Sequence, residues 1–411
     1  MVYLVLAIFI LLMLYSWKKF WGVSTYLIGV YALSVIMSIR LLSVDYQYSN
    51  TEISVIGSMV FVVLLLLYFF PYMRKTPNIV YNLNDQQIKR FTTIGYSLSL
   101  LVIFGMILMA TKIREVMSLD YLYVRSTMYM EGSDAIVSNY TRIEQIGSII
   151  LGYFSGLSYV FLIMFFYAVA FIPRKILFKI LLLIASFSAS YKGLMVAGRT
   201  KIMYWMMFAV LCIIIFYPLM TAKTKRITRI SSIIVSVPVV VYFFAVTLAR
   251  TLYSNSETTD FLVSYMGQSF LNFNTFWIKY EPPTITLDRV FPLTSFLLGS
   301  GFQLDDYRAM IESKTGMNIG IFYTMLGDFM VDIGKVGMII YSFVYCIFSR
   351  TVLKKKSYTI ADLLIFAIVI QIPLHGLFYY SFYQAPSTFC ALITIMMASY
   401  IQSGKLFSFK R

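Results

Sequence analysis

The chain has 411 residues, of which 60% are hydrophobic, 18% aromatic and only 13% charged, about half the charged share of a soluble domain. That balance excludes a soluble globular enzyme. A net charge of +16, from 34 basic and 18 acidic residues, would suggest nucleic acid as partner of a soluble protein; here the basic residues gather in short connections between apolar runs, where anionic headgroups suffice.

About 20 apolar residues cross a bilayer, and by that measure the sequence predicts eleven spans, near 2–16, 23–43, 53–72, 92–111, 147–172, 176–196, 202–220, 231–249, 331–348, 359–380 and 383–401. The fold class expected is all-α: a polytopic membrane protein, one domain over 1–411, with a large outer-face loop containing short amphipathic helices. The first run is short, and Lys18 and Lys19 follow it instead of preceding it, unlike a cleavable signal. Alternate connections hold 20 of the 34 basic residues and only Asp85 and Asp362 among the 18 acidic ones. Lys and Arg concentrate in cytoplasmic loops, so these connections and the C-terminus are expected inside, and the two long connections, 112–146 and 250–330, outside. Cys212, Cys346 and Cys390 fall in apolar runs without metal-ligand spacing and read as small core residues.

In the first outer loop Tyr121, Tyr123, Tyr129 and Tyr140 alternate with Arg125, Arg142 and several carboxylates. Tyrosine beside mixed charge can hold a sugar, or can form the aromatic belt common at membrane interfaces. Cations at span ends carry a sharper signal, since an Arg or Lys placed mid-bilayer costs roughly 2.5–3.5 kcal/mol. Arg40 ends the second span, Lys192 and Arg199 flank the exit of the sixth, and Arg250 follows the eighth. A guanidinium fork matches a pyrophosphate, whereas snorkelling to lipid phosphate is the structural alternative. Lys192, Arg199, Arg250, Arg125 and Arg289 make up the expected substrate-binding set.

In the second outer loop Leu262, Tyr265, Met266, Ser269, Phe273, Phe276 and Trp277 recur at helical spacing, which predicts a helix lying in the interface, sealing the bundle or steadying a polyprenyl tail. Beyond Pro282, Pro283 and Pro292, the run 297–302 leads to a polar helix near Leu304–Lys314. Asp305 and Asp306 point about 100° apart on a helix, with no third ligand evident, so no metal is expected. Asp328 and Asp332, four apart, share a helix face at the mouth of the ninth span; either could be a base, or the pair could cap the helix and bind Lys335. His375, the single histidine, is a further catalytic candidate or a hydrogen-bonded core residue.

The chain has no Gly-rich phosphate loop, no Gly-x-Ser-x-Gly elbow and no Cys or His cluster, so no cofactor is expected. Gly198-Arg199-Thr200 at a mid-chain span end, and Tyr323-Thr324 through Asp328, Asp332, Gly334 and Gly337 entering a late span, resemble the oligosaccharide repeat-unit polymerases of bacterial surface polysaccharide synthesis, the O-antigen polymerases of the Wzy type. The plan of ten or more spans with two outer loops, the later one larger, is similar to that family across the whole chain. The resemblance implies a metal-independent glycosyltransferase of the bacterial inner membrane, acting on undecaprenyl-pyrophosphate-linked oligosaccharide, with a chain-length regulator as a further partner and no nucleic acid. Arg199 and Arg250 would then hold the pyrophosphate, and Asp328 or Asp332 would take the acceptor proton. An O-antigen ligase shares this plan, and a flippase for the same lipid is the non-enzyme alternative.

Overall fold

A computed structural model describes the chain except residues 21, 75–77, 81–82, 119–139, 173, 196–197, 232, 234–236, 238–240, 242–257, 281–286, 299–308, 310–311, 314–321 and 406–411. The protein is a multi-pass helical membrane protein. Among the described residues nine helices are long and apolar enough to cross a membrane. In chain order the described helices longer than four residues include α1 (Val2–Phe20), α2 (Val23–Val44), α3 (Val55–Phe69), α4 (Asp85–Leu108), α5 (Ala110–Ser118), α6 (Arg142–Phe154), α7 (Ser158–Phe171), α8 (Ile176–Ser186), α9 (Ser188–Met195), α10 (Thr200–Phe216), α11 (Thr258–Lys279), α12 (Pro292–Leu298), α13 (Thr324–Leu353), α14 (Ile360–His375) and α15 (Ala385–Ser403). The first expected span is longer than its apolar run suggests, a 19-residue helix. The eighth, 231–249, lies almost wholly outside the described residues, as does most of the first outer loop with Arg125.

Side-chain caps set several boundaries. Asn84 and Gln87 exchange hydrogen bonds at the start of α4, at 2.8 and 3.0 Å, and Thr141 and Glu144 do the same at α6; such reciprocal pairs satisfy amides that the first turn leaves open. Ser54 accepts from the amide of Gly57 at the start of α3.

The chain divides into two compact units. Unit 2 comprises Ile79–Asn255, Ser357–Ile368 and Phe389–Arg411. Its helices approach through small residues: a Cβ on Gly147 would meet Leu108 at 2.8 Å, and one on Gly95 would meet Phe178 at 2.6 Å. Close backbone approach of this kind replaces a hydrophobic drive that lipid cannot supply. Cys212 and Cys390 are buried here, and Cys346 in unit 1, all as free thiols.

Unit 1 comprises Met1–Asn78, Ser256–Lys356 and Val369–Thr388, and it corrects one expectation. The aromatic stripe of the second outer loop is not a one-sided surface helix. Along α11, Tyr265, Gly267–Asn274 and Phe276 are buried, polar Gln268, Ser269, Asn272 and Asn274 included. Ser34 donates to the carbonyl of Met266 at 2.7 Å, Ser38 to that of Gly267 at 2.6 Å, and Tyr48 pairs with Asn272. Rising numbers on one side meet rising numbers on the other, so α11 runs parallel to α2. Gly267 makes the contact, because a Cβ there would lie 2.6 Å from the carbonyl group of Met37. Since α11 begins nine residues before Gly267, at 1.5 Å per residue it extends about 14 Å back along α2 from that contact. The polar side chains are satisfied inside the unit: Asn272 donates to the carbonyl of Phe322 at 2.7 Å, Gln268 accepts from the amide of Phe322, and Asn274 accepts from Ser58.

Two further helices are interrupted. The 30 residues of α13 are broken at Gly334, whose φ of 73° and ψ of 173° no helix contains, a conformation for which glycine has no steric penalty. The expected tenth span ends early: α14 stops at His375 after 16 residues, with Pro373 inside it. The carbonyl of Gly376 accepts the amide of Met325 at 2.8 Å, so irregular backbone meets the start of α13 deep in unit 1. Such backbone persists within a membrane bundle only where protein or a wet cavity satisfies it.

Candidate functional site

The first half of α13 carries Asp328 and Asp332, both fully buried. Their partners differ. Asp332 accepts the amides of Asp288, Arg289 and Val290 at 3.1, 3.1 and 2.9 Å. Three amides aimed at one carboxylate form a small anion-binding turn, and Leu287 enters it at a φ of 61°, a left-handed conformation costly for a residue with a Cβ. The carboxylate thus holds a strained turn in place. Tyr280, just past α11, is pushed up to about 12 by burial and then by the charge of Asp332; its hydroxyl donates to the carbonyl of Val331.

That turn delivers Arg289. Its guanidinium lies 2.5 Å from Asp328 Oδ1, donates to the hydroxyl of Tyr323 at 2.7 Å, and sits near the rings of Tyr323 and Tyr383. The other oxygen of Asp328 accepts the amide of Tyr380 at 2.6 Å, so the pair also pins the segment after α14. Tyr323, Tyr379 and Phe276 surround it with edge and tilted ring contacts. His375 is buried, with Nδ1 3.1 Å from the hydroxyl of Ser381, which donates to the carbonyl of Gln371. The ammonium of Lys335 lies over the ring of Trp277.

Asp328, Asp332 and Arg289 are therefore brought together in unit 1, and His375 lies in the same unit with Ser381 beside its ring. Lys192 and Arg199 belong to unit 2, at the turn from α9 into α10, where Arg199 is buried. Arg125, Arg250, Asp305 and Asp306 lie outside the described residues, and among the described residues no group of three or more His, Cys, Asp or Glu is placed to hold a metal. Residue pattern placed Tyr323 in a motif without giving it a role, and it missed Tyr380 and Tyr383, which follow the break after α14. It also missed Lys201, although three cations within ten residues, Lys192, Arg199 and Lys201, were visible in the sequence.

Chemically, the unit 1 centre joins a guanidinium, a carboxylate, phenol hydroxyls and aromatic faces in a water-poor setting, the inventory for holding an anion and moving a hydroxyl proton. No protein-family model matches this chain, and no curated protein or solved structure resembles it closely enough to identify a relative.

Proposed function

We propose that the protein is a polymerase of lipid-linked oligosaccharide repeat units at the outer face of the bacterial cytoplasmic membrane. The observation that supports this most is the placement of Asp328: a buried carboxylate at an interrupted membrane helix, beside a guanidinium and ringed by tyrosines. In the proposed step an acceptor sugar hydroxyl gives its proton to Asp328 and its oxygen bonds the anomeric carbon of the donor glycan. The anomeric carbon to pyrophosphate bond breaks, and undecaprenyl pyrophosphate leaves with the electron pair. Arg289 pairs with Asp328 at rest; an anionic headgroup competing for the guanidinium would free the carboxylate beside it. Asp332, engaged by three amides, suits an anchoring role better than that of base.

A second reading, a flippase for the same lipid, draws support from the breaks at Gly334 and after His375, since interrupted helices around buried charge also build transporter sites. The test is purified protein in detergent given only undecaprenyl-pyrophosphate-linked repeat units. A ladder of longer products, formed without nucleotide and persisting in EDTA, is expected, and Asp328→Asn should suppress it at least about a hundredfold, the loss typical of a group acting in the transition state. No ladder from folded protein ends the polymerase reading, and a product that forms only with lipopolysaccharide core present makes the protein a ligase.

A further inference from the structure

In unit 2 the chain turns between α9 and α10, where the amide of Gly198 donates to the carbonyl of Gly193 at 2.8 Å. The turn folds α10 back on α9: a Cβ at Gly193 would meet that of Lys201 at 3.2 Å, and Ser190 donates to the carbonyl of Lys201. Lys192 and Lys201 are thereby brought close enough for their charges to act on each other, with Arg199 between them in sequence. The Lys201 ammonium lies over the ring of Tyr204 at 5.8 Å. Among the described residues no carboxylate forms an ion pair with either lysine. Arg199 stands at the cap position of the 17-residue α10, whose first turn carries Lys201.

Like charges folded together without a counter-charge repel, and the repulsion grows as water is excluded. An anion reverses the sign of the interaction, and the dipole at the start of α10 favours negative charge there as well. We propose that Lys192 and Lys201 form a site for a lipid-borne phosphate, and that two cations together favour a diphosphate over a monophosphate. The site deepens the binding side of the function proposed above and can fail separately from it, because its test reads binding and requires no bond to form.

Full-length protein in a neutral detergent is titrated with inorganic pyrophosphate and with orthophosphate at low salt, by calorimetry and thermal shift. Saturable binding is expected, tighter for pyrophosphate and weakened by added salt. The double variant Lys192→Gln, Lys201→Gln should lose at least about tenfold in affinity, Lys201→Arg should keep binding, and Lys179→Gln should match the parent. Should the double variant fail to melt cooperatively, the single glutamine variants carry the comparison. Competitors then identify the source: displacement by undecaprenyl diphosphate but not by phosphatidylglycerol assigns the site to the glycan carrier, and equal displacement by both assigns it to membrane headgroups. The proposal is overturned by an absence of saturable binding, or by equal affinity in parent and lysine variants.

Discussion

Arg289 in unit 1 and the pair Lys192 and Lys201 in unit 2 hold their charges in opposite ways. In unit 1, Arg289 meets Asp328 at 2.5 Å and a tyrosine hydroxyl at 2.7 Å, and the turn that carries it is fixed by Asp332. In unit 2, Lys192 and Lys201 come together without a carboxylate pairing with either among the described residues. A cation neutralised within the protein is first of all part of the fold, because removing its partner strands a charge. One neutralised from outside is first of all a binding group. Stability and binding should therefore respond in opposite order to substitution in the two places.

The largest effect is expected at Asp328. Asn keeps the shape and an acceptor for the amide of Tyr380 but leaves Arg289 buried without its counter-charge, a loss of about 3–5 kcal/mol. Adding Arg289→Gln should recover much of it, because both charges are then gone. A double-mutant cycle from thermal melts in detergent measures the coupling, and additive losses would mean that the pair contributes nothing as a pair. Asp332→Asn comes next. It weakens three charge-assisted bonds to backbone at once, for roughly 2 kcal/mol, and should also loosen the turn at Leu287, read as faster proteolysis between Leu287 and Val290 than in the parent.

A third prediction concerns α11. Gly267→Val must push the helix off Met37, at about 1–3 kcal/mol for overpacking, whereas Ser38→Ala removes one interhelical bond worth about 0.6 kcal/mol. The parallel run of α11 with α2 also sharpens the sidedness expected from charge. Under the outward-ending direction that the basic residues assign to α2, α11 ends outside but begins nearer the inner side. An alkaline phosphatase fusion after Asp288 should then be active, and one after Thr258 much less so. Equal activity at both would return α11 to the surface.

That helix marks where sequence stops being informative. Membrane spans were legible because lipid contact demands about 20 apolar residues, and α2, α3 and α10 follow their apolar runs within a few residues, whereas α4 starts seven residues ahead of its run, at Asp85 where Asn84 caps it. Protein contact makes no such demand. Gln268, Ser269, Asn272 and Asn274 lower the apolarity of α11, yet Asn272 and Asn274 bond to groups on neighbouring segments, so a polar-looking stretch is buried all the same. Spacing put Asp328 and Asp332 on one helix face and both are buried there, but one carboxylate holds a side chain and the other three amides. Those partners lie in a distant segment that spacing cannot reach.

The smallest effect on stability is expected in unit 2, and its sign is the informative part. Truncating Lys192 to Gln removes one of two like charges that act on each other, and like pairs of this kind are destabilising by a few tenths of a kcal/mol. The melting temperature of the ligand-free protein should therefore stay level or rise slightly, the reverse of the Asp328 result. Added pyrophosphate should stabilise the parent, because a ligand that binds only the folded form shifts unfolding by mass action, and should stabilise the Lys192→Gln protein much less. The crossing of the two orders, parent less stable or equal without the anion and more stable with it, separates a binding lysine from a structural one. A structural lysine would give the variant the lower melting temperature in both conditions, by the same amount, and Lys192 would then resemble Arg289.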